Sequence, residues 1–118
     1  MATIKSYTSL EQSKKLAEIL TLESADMGWN VFVDETTRIL PINDWDLIKD
    51  GSGNVKFYYA WSLAALLSAL PNGIVMNKDS QNGRYHFSSK YIGTYVTADN
   101  PIDACCEMIL KLHELNLL

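Results

Sequence analysis

The chain has 118 residues, of which 47% are hydrophobic and 20% charged, and a net charge of −4. That is one domain's worth of chain, able to bury roughly two-thirds of its unfolded surface, and the balance excludes a disordered, collagen-like or disulfide-scaffold protein. The acidic excess is local, six acidic residues against Arg38 and Lys49 between Asp26 and Asp50, which weighs against broad phosphate-backbone binding and reads as a solvated acidic loop.

Met1 to Tyr7 lacks the apolar run of a secretory leader. The longest apolar-looking stretch, Phe57 to Leu70, is broken by Ser62 and Ser68 and falls short of the roughly 18 residues that a spanning helix needs. Cys105 and Cys106 are neighbours in a helix-like segment, where adjacent side chains point about 100° apart and do not readily join. A cytoplasmic, reducing setting and a single domain over 1–118 are expected, with no membrane segment.

Thr8 and Glu11 have the spacing of a capping box, predicting a first helix from Ser9 to Leu22 with Leu10, Leu16, Ala17, Ile19 and Leu20 largely on one face. After Gly28, the aromatic and β-branched run Trp29 to Val33 predicts a strand. Residues 34–54 are punctuated by Pro41 and by the polar, glycine-containing cluster Asp50 to Asn54, and read as loop with a short strand or helical turn. Leu63, Leu66, Leu67 and Leu70 follow helical spacing up to Pro71-Asn72-Gly73. That second helix has alanines and serine rather than charges on its remaining faces, which predicts burial on more than one side.

Ile74 to Met76 and Arg84 to Ser88, joined through Asn82-Gly83, predict a hairpin, and Tyr91 to Val96 a further antiparallel strand. Within the second strand, Tyr85 and Phe87 share one face and Arg84, His86 and Ser88 the other. The last helix opens at Asn100-Pro101, with Asn100 as N-cap, and carries the stripe Ile102, Cys105, Ile109, Leu112 and Leu115; Leu117 and Leu118 are expected to fold back on the domain. The predicted architecture is α+β: three helices packed on a small, mainly antiparallel sheet, as a single pair of layers with the second helix central.

Side chains with chemical potential are few. Asp44 and Asp46 flank Trp45, but their spacing specifies no cation, and an EF-hand frame begun at Asp50 meets Val55 and Trp61 where it needs glycine and glutamate. Two adjacent cysteines with only His86 and His113 do not match a zinc site, and mid-helix cysteines read as core. No nucleophile elbow, phosphate loop or dinucleotide fingerprint is present. No catalytic, cofactor or metal residues are therefore assigned. Tyr85, Tyr91 and Tyr95, beside Arg84 and Lys90, form a candidate partner or single-stranded nucleic-acid surface, but core packing against a helix layer is the favoured reading of such aromatics.

Residues 61–71, Trp-Ser-Leu-Ala-Ala-Leu-Leu-Ser-Ala-Leu-Pro, and residues 98–108 from Ala98-Asp99-Asn100-Pro101 to Glu107-Met108 resemble short uncharacterised proteins of phages, prophages and other mobile elements of Bacteroides-type gut bacteria. The resemblance implies a cytoplasmic setting and carries no activity. The expectation is a noncatalytic accessory protein that works through a protein partner or self-association, with nucleic acid an unfavoured partner. The alternatives are a weak single-stranded nucleic-acid binder, or a small enzyme of unknown type, which a deep pocket gathering His86 with Asp44 or Asp46 would support.

Overall fold

Ser9, rather than Thr8, caps the first helix. The computed structural model describes residues 5–41, 55–79, 81–89, 93 and 95–118. Within them Ser9 Oγ accepts from Gln12 N at 3.2 Å, and Gln12 Oε1 accepts from Ser9 N at 3.0 Å, so the capping box lies one residue later than its sequence spacing indicated. The Thr8 hydroxyl is used elsewhere, inside the protein. Helix α1 (Leu10–Leu16) is also shorter than predicted: Glu18 N and Ile19 N reach back only three residues, to Lys15 and Leu16, and the chain tightens before a 3-10 turn at Leu22–Ser24.

Three antiparallel strands follow, β1 (Met27–Phe32), β2 (Thr37–Pro41) and β3 (Val55–Ala60), in the order β2-β1-β3. The predicted strand is thus the centre of a sheet. Strand β3 escaped notice because its aromatic residues Phe57, Tyr58 and Tyr59 are half-buried on both faces, leaving no polar alternation to separate it from the apolar helix that follows. Gly28 is required for close packing here: a Cβ at this position would overlap the edge of the Phe57 ring, which lies against Tyr59 with centroids 4.9 Å apart.

Helix α2 (Leu63–Ala69) starts at Ser62, whose Oγ accepts from Ala65 N, and the Asp26 carboxylate accepts from both the backbone N and the hydroxyl of Ser62. A second sheet then forms from β4 (Ile74–Lys78), β5 (Tyr85–Ser89) and β6 (Tyr95–Ala98), in the order β4-β5-β6 and again antiparallel. At the hairpin, Asp79 O accepts from Gly83 N and only Gly83 of the Asn-Gly pair takes positive φ.

Helix α3 (Pro101–Glu114) begins as its sequence predicts, with Asn100 Oδ1 accepting from Asp103 N at 2.9 Å and Pro101 in the first turn. It ends in a Schellman motif: Leu117 N donates to Leu112 O, Asn116 N donates to His113 O, and Asn116 supplies the left-handed residue at φ 59°. Leu115, Leu117 and Leu118 stay substantially exposed, so the stripe stops at Leu112 and the tail does not fold back.

The fold is α+β, and among the described residues its three α-helices serve two small antiparallel sheets. Helix α1 packs on β3, while α3 packs on β5, β6 and α2. The central helix is α3 and not α2. Ile102, Ala104, Cys105, Cys106, Met108, Ile109 and Leu112 of α3 are all buried, most of its circumference, whereas Leu66 is the one fully buried residue of α2. Seven residues make too short a rod to be wrapped on every side, and Leu16, Trp61, Leu66 and Phe87 complete a core built around the longer helix.

Candidate functional site

Both thiols are withdrawn from solvent and His86 is tied to partners, while His113 is exposed. Cys105 and Cys106 are buried in α3, and desolvation, the main cause, pushes both thiols up to about 12. His113 lies exposed near the C-terminal end of α3. His86 sits on β5 with Nε2 3.6 Å from Asp79 Oδ2, its ring stacked on Tyr95 at 5.9 Å between centroids. Its Nδ1 is buried without a hydrogen-bond partner, as is Oγ1 of Thr97, the residue opposite it on β6. Asp44, Trp45 and Asp46 lie outside the described residues. Among the described residues no group of three His, Cys, Asp or Glu side chains could hold a metal ion, and no helix is long and apolar enough to cross a membrane.

Of the candidate tyrosines, Tyr85 and Tyr95 lie on opposite faces of the second sheet. Tyr85 pairs with Ala98 and stands with Phe87 on the face toward the core, its ring 5.5 Å from the Lys78 ammonium. Tyr95 pairs with Ser88, on the opposite face with His86, and is 60% exposed. Tyr91 lies outside the described residues. A base stacked on Tyr95 could not reach Tyr85 through the sheet. Trp61 is fully buried, its Nε1 donating to Ser24 Oγ, and Trp29 donates to Thr8 O, so both indoles are structural.

The most elaborate polar arrangement joins the starts of α1 and α3. Asp103 Oδ1 accepts from Lys5 Nζ at 2.8 Å and from Gln12 Nε2 at 2.7 Å, while Oδ2 accepts from Asn100 Nδ2 at 2.7 Å. Lys5 also donates to Gln12 Oε1 at 2.6 Å. Burial pushes the Asp103 carboxyl up, but the hydrogen bonds from Lys5, Gln12 and Asn100 outweigh it and hold the group below the ordinary carboxylate range. These residues border an open cleft of about 600 Å³ that also meets Lys15, Arg84 and Glu107. Within the cleft Arg84 pairs with Asp99 at 3.2 Å, and the lining mixes both signs of charge. Sequence spacing gave no sign of this cluster, because Lys5 and Asp103 are 98 residues apart.

A different surface is set by α2. The solvent side of this helix consists of Ala64, Leu67 and Ser68 and carries no charge, and the adjoining 3-10 turn presents Leu22 beside the exposed Glu23. Leu67 is 39% and Leu22 43% exposed. Comparison of the chain with protein-family models, curated proteins and solved structures finds no match, and the resemblance to mobile-element proteins gains no support from it.

Proposed function

We propose that this chain is a noncatalytic binding domain acting through protein contact, and that the outward face of α2 forms the centre of the contact. The observation that carries the reading is the seven-residue helix Leu63–Ala69, which turns Ala64, Leu67 and Ser68 to solvent without a single charged residue. Exposed helix faces normally carry charge, and an uncharged one beside a further exposed leucine, Leu22, has the character of an interface core. The helix is only about 10 Å long, and a stable contact covers about 800 Å² on each partner, so the 3-10 turn and neighbouring surface belong to it too. A cytoplasmic location belongs to the same proposal and fits the free thiols Cys105 and Cys106. The mobile-element setting rests on residues 61–71 and 98–108 alone.

Among the described residues of the second sheet, Tyr85 and Tyr95 face opposite ways, which does not favour the nucleic-acid reading. The test is sedimentation of the full chain over a range of concentrations, with capture from host and phage lysates, for wild type and Leu67→Lys. Self-association or capture that the substitution abolishes, with an unchanged circular dichroism spectrum, is the expected result. A strictly monomeric protein that captures nothing overturns the reading.

A further inference from the structure

Two Asn-Gly pairs lie in turns, Asn72-Gly73 between α2 and β4, and Asn82-Gly83 between β4 and β5. Asparagine before glycine is chemically labile, because the next backbone nitrogen can attack the side-chain carbonyl carbon and glycine has no Cβ to obstruct it. In the second pair both reacting groups are engaged. Gly83 N, the nucleophile, donates to Asp79 O at 2.9 Å, and Asn82 Oδ1, on the carbon to be attacked, accepts from Arg84 N at 2.9 Å. A hydrogen-bonded N–H gives up its proton less readily, and a held amide turns less freely into line for attack. In the first pair Asn72 is exposed, and among the described residues neither its side chain nor Gly73 N has a hydrogen-bond partner.

We propose that Asn72 is a self-modification site at which the folded protein converts asparagine to aspartate and isoaspartate. Gly73 N bonds to Asn72 Cγ, the Cγ–Nδ2 bond breaks, and ammonia leaves with the proton from Gly73. Water then opens the succinimide ring at either carbonyl. The step needs no oxidant, metal or cofactor. Both products place a negative charge just beyond the C-terminal end of α2, the end that disfavours anions, and isoaspartate adds a methylene to the backbone of the link into β4. This inference is independent of the contact proposed for α2.

The experiment incubates the intact folded chain at mildly alkaline pH and follows it by peptide mapping that separates Asn, Asp and isoAsp forms. Conversion should run about tenfold faster at Asn72 than at Asn82, the factor that about 1.4 kcal/mol represents and the order of two net hydrogen bonds. The rate should rise with pH, since the attacking nitrogen must lose its proton. In urea the two rates should converge, and Asn72→Gln should abolish the signal at 72 while leaving Asn82 unchanged. Equal rates in the folded chain, faster conversion at Asn82, or an Asn72 that reacts only in urea overturns the proposal.

Discussion

Replacing Thr8 with valine tests the buried junction that ties the N-terminal segment to the start of α2. Thr8 is fully buried. Ser13 Oγ donates to Ser9 O at 2.7 Å, so its proton is committed, and the 2.7 Å contact between Thr8 Oγ1 and Ser13 Oγ must be donated by Thr8. Thr8 Oγ1 in turn accepts from Trp61 N at 3.1 Å, next to the backbone bond from Thr8 N to Trp61 O at 2.9 Å. Valine keeps the shape and removes the acceptor, leaving the amide of a fully buried residue without a partner. An orphaned buried donor costs about 1–3 kcal/mol, so Thr8→Val should lose about 2 kcal/mol, with Ser13→Ala costing about half as much because Trp61 N keeps its acceptor. The assay is urea unfolding with an unchanged m value, supported by a melting temperature about 8 °C lower at about 4 °C per kcal/mol. A loss no larger than that of Ser9→Ala, about 1 kcal/mol for a helix cap, refutes the reasoning.

Three further outcomes are expected. The folded Asp103 carboxyl lies below its ordinary range, so its contribution is present at neutral pH and is lost only as the pH falls below the ordinary carboxylate range; the stability gap between wild type and Asp103→Asn, of about 1 kcal/mol or less for so exposed a group, should close in acid unfolding curves. Gly28→Ala should cost about 1–3 kcal/mol by forcing the Phe57 ring aside, and Phe57→Leu in the same chain should recover part of it in thermal melts. Both thiols should resist a disulfide reagent near pH about 8 in the folded protein and titrate fully in denaturant; rapid labelling of native Cys105 would contradict its burial.

Local signals in the sequence were reliable where one side chain closes one turn. Asn100-Pro101 opening α3, Ser62 near the start of α2 and Gly83 in the hairpin are all complete within a few residues. Signals that depend on competition between neighbours misled by small steps, as with Thr8 and Ser9: either hydroxyl could cap α1, and only the distant Trp61 amide decides which is drawn inward. Strand β3 and the division into two sheets were illegible for a different reason, since half-burial on both faces removes the alternation that marks a strand. The same limit hid the Asp103 cluster and made Tyr85 and Tyr95 look like partners. Spacing along one chain says little about which face of a neighbouring strand a residue occupies.

The order in which elements leave the ribosome follows from where the core residues lie. Leu16, Trp61, Leu66 and Phe87 all come early, but they share their core with Ile102 to Leu112 of α3, which follows the six strands of the described residues. The second sheet, which α3 covers through β5 and β6, cannot seal its apolar side during translation until that helix has emerged, so Phe87 and Leu66 stay wet or in the care of a chaperone until then, whereas α1 can already lie on β3 of the first sheet. Arrest-peptide force measurements should therefore show tension from docking of the second sheet only as a late step, after α3 has cleared the ribosome.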